Sequence, residues 1–167
     1  YEESMRMPFV IRYPKEIPSG TRNRDLIGNI DFAALFADYA GIERPAFVQG
    51  RSFRENLKGK TPQDWRKSVY YRYWLHDPIR PAHYKLAFFY GQPLDKTGTV
   101  KRATEPAWEF YDLQKDPAEN KNLYGDAGYA EIIDRMKNDL LKIKAEAGDN
   151  DGIYPEMEEV LNRFYWK

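Results

Sequence analysis

The chain has 167 residues, enough for one core, or for a piece of one domain joined to a small whole one. Its 26 basic residues balance 26 acidic ones, which argues against a nucleic-acid footprint or a polybasic membrane patch. No apolar run approaches the ~20 residues a membrane-spanning helix needs, and the lack of Cys excludes disulfides and thiolate metal sites.

Taken in chain order, Phe9-Val10-Ile11, closed by Pro14, reads as a strand buried on both faces. Asp31 is placed to cap a helix running to Ala40, with Phe32, Leu35, Phe36 and Tyr39 as its apolar stripe and Gly41 as the residue that ends it. These two segments form a β–loop–α unit of the kind found at the margin of an α/β sheet. The stretch from Glu43 to Pro62 is irregular, with Leu57-Lys58-Gly59 closing a short helical turn.

Val69 to Leu75 alternates in the period of a strand, with Tyr70, Arg72 and Trp74 on one face. The polar, Pro-stiffened residues His76 to His83 are expected to leave its end as a loop. Leu86, Phe88 and Tyr90 mark a second strand, Gly91 to Pro106 a long polar connection, and Trp108 to Leu113 a third strand. Asp116, Pro117 and Glu119 have the spacing of a capping box, which predicts one short helical turn. Ala130 to Ala147 is the strongest helix: Ile133, Met136, Leu140, Ile143 and Ala147 recur at spacings of 3 and 4, and Gly148 stops it. Asp149 to Gly152 reads as a hinge, and Glu156 to Trp166 as a last helical segment ending in Phe164, Tyr165 and Trp166.

The residues show little sign of self-contained catalysis. The two histidines, His76 and His83, are seven apart with only Asp77 near as a third ligand, which is not a metal site. No G-x-S-x-G elbow surrounds any Ser. Glu2-Glu3 reads as a solvated first turn, and Asp112, Asp116 and Glu119 lack the spacing of a calcium loop. Arg80 and the histidines of the 76–83 loop remain as donors suited to an anionic group. Tyr70, Trp74 and Tyr90 could serve as stacking platforms for sugar rings.

The wording of three segments carries more. Residues 108–126, WEFYDLQKDPAENKNLYGD, resemble "ELYDL..DP.E..NL" near the end of type I sulfatases of the alkaline phosphatase superfamily. Residues 1–14, YEESMRMPFVIRYP, resemble the segment that follows the last metal-ligand motif in bacterial sulfatases. Asn29 to Gly41 with Gln49-Gly50-Arg51-Ser52 is similar to "D..PT.l..aG...p...qG.S". The three matches stand in family order. The family's C/S-x-P-x-R signature is absent, since Ser4, Ser19, Ser52 and Ser68 have no Pro two positions on.

The resemblance implies that these residues are the C-terminal part of a larger sulfatase. The nucleophilic formylglycine and a divalent, calcium-type ion are expected in the preceding part. The implied fold is α+β: an edge of the α/β sulfatase sheet, then a small antiparallel sheet packed by a C-terminal helix. Residues 1–60 are expected to complete the large domain, 61–148 to form the antiparallel-sheet subdomain with its helix at 130–147, and 149–167 to form a helical tail. The terminal aromatics would dock on the preceding part. His76, Arg80, His83 and Trp74 are the candidates to touch a sulfated small molecule or glycan. No nucleic acid or membrane is expected, and export to the periplasm or beyond is.

One departure stands out. After His83-Tyr84 the family continues Gly-(Ile/Val)-Arg-Thr-x-x-Tyr, whereas here Tyr84 runs directly into Lys85-Leu86. Two other readings remain open: a phosphodiesterase or phosphonate hydrolase of the same superfamily, and a non-catalytic carbohydrate-binding module.

Overall fold

Local sequence preferences resolve into two structural units. The computed structural model describes residues 1–73, 75–92 and 103–167. The units are Glu3–Lys67, and Tyr1–Glu2 together with Ser68–Lys167. A single helical turn, α1 (Glu2–Met5), opens the chain.

Besides most of α1, the first unit contains two helices. Helix α2 (Asp31–Ala40) ends as its sequence requires: Gly41 takes φ +67°, where a side chain would be strained, and its N–H caps Asp38 O. Helix α3 (Arg54–Leu57) follows. Leu35, Phe53, Leu57 and Trp65 form a small core. Phe9, Phe32 and Phe53 meet edge to face around it, with centroids 5.2–5.9 Å apart.

Phe9-Val10-Ile11 is not a strand here: among the described residues of this unit there is none, and Val10 is 92% exposed. A strand is stable only where a neighbour takes its backbone N–H and C=O groups. Asp31 is also not the cap. It is the first helical residue, fully buried, and its carboxylate accepts from the N–H of Gly28 (2.7 Å) and Arg51 (2.9 Å) and from both Arg66 Nη atoms (2.6 Å each). Gly50 is needed beside it, because a Cβ there would lie 2.0 Å from Ile30 O.

The second unit is built on a four-stranded antiparallel sheet in the order β1 (Ser68–Tyr70), β2 (His76–Pro81), β3 (Tyr84–Phe89), β4 (Ala107–Asp112). The expected strand over 69–75 therefore stops early, and the expected loop over 76–83 is mostly strand β2. Pro78 accounts for part of this. Its carbonyl faces β1 and accepts from Tyr71 N (3.0 Å), so its missing N–H faces the same edge, where the ladder to β1 ends. The pairing of β2 with β3, Ile79 opposite Leu86 and Asp77 opposite Phe88, is left intact. Ala82 and His83 alone join the two strands, so the direct run of Tyr84 into Lys85 is a tight hairpin. Of the 91–106 connection, 93–102 lie outside the described residues.

Strands β3 and β4 lie where the alternation puts them. One face of the sheet carries Ile79, Leu86, Phe88, Trp108 and Phe110. Helix α4 (Ala130–Glu146) covers it with Ile133, Met136 and Leu140. Helix α5 (Pro155–Phe164) adds Met157. The terminal aromatics do not all await a partner, as Tyr165 is buried in this core. Its carbonyl accepts from Trp108 Nε1 (3.0 Å) and its hydroxyl donates to Lys137 O (2.7 Å).

The expected turn of helix at 116–119 does not form. Asp116 instead accepts from Lys121 N (2.8 Å), and Glu119 sits at φ +55° with its side chain turned inward and buried. The segment read as a hinge contains a 3₁₀ turn (Asp151–Ile153), and Asp149 before it and Asp151 within it are both paired.

Candidate functional site

Strand β2 decides where the candidate residues go. Successive side chains alternate between faces, so His76, Pro78 and Arg80 share one face while Asp77 and Ile79 turn to the core. His76 and Arg80 are four residues apart, about 13 Å along an extended strand. His83 is exposed in the β2–β3 turn, at the Arg80 end. Trp74 lies outside the described residues. The strand thus places His76 at one end and Arg80 with His83 at the other, rather than in one cluster.

At the first end, His76 stacks on Phe89 (4.8 Å) and lies 5.5 Å from the exposed Tyr73 ring. Burial lowers its pKa, and the nearby Lys85 ammonium acts in the same direction. The imidazole is therefore neutral near pH 7 and offers a ring face and one N–H, not a cation. At the other end, Arg80 makes a paired, two-bond contact with Glu2 (2.8 Å each). These bonds, with burial opposing, raise its pKa. Glu2 is thus not the solvated carboxylate the sequence implied: its side chain is nearly buried against Arg80.

At the Arg80 end, one step along the β2–β3 register, the same face carries a second buried pair, Lys85 with Glu119. The rings of Tyr1 and Tyr111 each lie 5.4 Å from the Lys85 ammonium. Tyr111 donates to Glu109 (3.0 Å), and burial followed by that carboxylate pushes its phenol pKa up. Glu119 holds a backbone conformation costly for a residue with a Cβ. Nothing in its own sequence neighbourhood announced the Lys85 pairing; the only signal was a Glu in a turn that the spacing assigned to a cap.

The core face carries a third charged group that sequence reading missed. Lys144 of α4 spends its three N–H bonds on Asp77, the Tyr90 hydroxyl (3.0 Å) and Asp151 (2.5 Å). Tyr90 donates to Asp77, Tyr70 to Asp149, and Arg72 to Asp149 and Asp151 (3.0 Å). Tyr90 is therefore inside the molecule and Tyr70 is half-buried with its hydroxyl held by Asp149, so the two do not form an open sugar-stacking surface. Among the described residues no group of three or more His, Cys, Asp or Glu could hold a metal ion. No helix of the described residues is long and apolar enough to cross a membrane.

The model of the family described as N-sulphoglucosamine sulphohydrolase, C-terminal, matches residues 1–146. The chain belongs to this family. It is 38% identical, over 96% of its length, to an N-acetylglucosamine-6-O-sulfatase of Bacteroides thetaiotaomicron, and spans 28% of that protein. It is 28% identical, over 87% of its length, to an ulvan-active sulfatase of Formosa agariphila, and spans 34% of it. A solved structure of a protein in complex with its substrate D-glucosamine-2-N,6-O-disulfate superposes with TM-score 0.74 at 35% identity. That match covers 85% of this chain and 28% of the other.

The sulfatase resemblance read from the sequence is thereby borne out, as is the α+β fold. The chain spans about a third or less of the relatives it matches.

Proposed function

We propose that this chain is the C-terminal portion of a sulfuric-ester hydrolase acting on a sulfated sugar, with a sulfated glucosamine as the favoured substrate. The observation that carries this reading is 38% identity, across nearly the whole chain, to an N-acetylglucosamine-6-O-sulfatase.

The chemistry belongs to residues outside this chain. Neither a Cys nor a Ser of this chain stands in the C/S-x-P-x-R signature that becomes formylglycine. When present in the remainder, formylglycine and a calcium-type ion would supply the nucleophile and polarise the sulfate. On this reading the protein is exported and residues 1–60 complete its large domain. Residues 61–148 form a subdomain lining the substrate pocket, and 149–167 close it as a tail.

Within this chain the sugar contacts fall to the two ends of β2. Neutral His76 beside Tyr73, with Trp74 adjacent in sequence, suits a sugar ring and its hydroxyls. Arg80 and His83 suit an anionic substituent, and Arg80 must then exchange or share Glu2.

The test is sulfate release by the full-length protein from 6-O-sulfated N-acetylglucosamine, set against cleavage of a phosphonate monoester. Preference for the sulfate ester is expected. A higher kcat/KM for the phosphonate would transfer the protein to the hydrolases of that class. His76→Ala is expected to raise KM about tenfold; unchanged kinetics would remove His76 from the pocket.

A further inference from the structure

The buried charges on the core face are divided unevenly between two parts of the chain. The sheet and α4 contribute Arg72, Asp77 and Lys144, a socket of net charge +1. The last segment contributes Asp149 and Asp151, charge −2. The segment is fastened again at its far end, where Tyr165 enters the aromatic core and Tyr124 donates to Lys167 O. Between these fastenings Met157 is its single buried residue. We propose that Asp149–Lys167 is a strap that closes over the core face of the sheet, and that the charge on this socket sets how tightly it closes.

The groups facing the socket come from every neighbouring element: Tyr70 from β1, Arg72 after it, Asp77 from β2, Tyr90 after β3, Lys144 from α4, and Asp149, Asp151 and Tyr154 from the segment itself. With all carboxylates ionised, three negative charges oppose two positive ones, and Asp77 Oδ1 is buried without a hydrogen-bond partner. Neutralising Asp77 balances the socket against the strap. Neutralising Asp149 and Asp151 removes the attraction.

The order of these events follows from their surroundings. Burial raises the pKa of Asp77 in spite of Lys144. The Asp149 carboxyl is opposed by burial but held low by its bonds from Arg72 and Tyr70. A raised carboxyl takes its proton first as pH falls, so mild acid tightens the strap. Asp149 protonates only below its ordinary range, and that weakens the attraction that holds the strap.

Hydrogen–deuterium exchange of the full-length protein at several pH values, corrected for intrinsic rates, tests this. Asp77→Asn is expected to slow exchange of residues 153–166 several-fold at pH 7 while β3 and β4 are unchanged. Lys144→Gln is expected to speed it about tenfold or more, again with the sheet still protected, and Asp151→Asn, on the strap itself, to act in the same direction. If Lys144→Gln and Asp151→Asn loosen strap and sheet together, there is no separate strap. If Asp77→Asn leaves strap exchange unchanged or faster, charge balance does not govern its closure.

Discussion

The two units of this chain solve the folding problem to different degrees. The unit of Ser68–Lys167 pairs all four strands with one another, covers one face with α4 and α5, and gives nearly every large side chain of that face a partner. The unit of Glu3–Lys67 rests on a four-residue core. It leaves Val10 92%, Phe47 86% and Phe36 64% exposed. One unit packs most of its large apolar side chains within itself; the other leaves several of them facing solvent. The difference lies in how many partners each apolar side chain finds within its own unit, not in how apolar the two sequences are.

Separating them gives the largest expected effect. A polypeptide of residues 68–167 should show a cooperative thermal transition by circular dichroism, and one of residues 3–67 should not; a sharp transition in the shorter piece would break the comparison. Inside the better-packed unit, Phe110→Ala should cost about 3–5 kcal/mol by urea titration, since it removes a fully buried ring. Lys85→Met should cost a similar ~3–5 kcal/mol, because it strands Glu119 without a counter-charge. Adding Glu119→Leu should restore most of that; a double variant as weak as the single would mean that packing, not charge, holds this face.

Acid should act more gently. Asp112 is nearly buried, which disfavours its charge, but bonds from Tyr129 (2.9 Å) and Gln114 N (3.1 Å), aided by Lys115, outweigh burial and lower its pKa. A lowered carboxyl contributes stability above its unfolded value of about 3.9, lost as pH falls through the folded one. Asp112→Asn should therefore flatten the loss of stability between pH 5 and the acid limit, read from denaturation midpoints. The smallest effect is expected at Phe47→Ser, within about 0.5 kcal/mol in this chain, because its ring already faces water. A larger cost in the full-length protein than in residues 1–167 would identify Phe47 as part of a covered surface.

What the sequence by itself determined was local. The α4 stripe, the glycines that end α2 and α4, the alternation of β3 and β4, and the family wording at 1–14, 29–52 and 108–126 are all carried by residues within a few positions of one another. Helical and strand periods are properties of a short stretch, so they can be read without the fold.

What only the tertiary structure decided was which charges are buried and against what. Lys144 meets Asp77 across 67 residues, Arg80 meets Glu2 across 78, and Arg66 meets Asp31 across 35. Nothing in the sequence around Lys144 singled it out, and Glu2 read as half of an exposed acidic pair. The position of the candidate site followed the same rule. His76 and Arg80 were legible as residue types, but their separation to opposite ends of one strand, and the neutral state of His76, came from the register of β2 against β3. A charge can be buried only where its counter-charge is delivered, and that delivery depends on chain topology, which no local window of sequence contains.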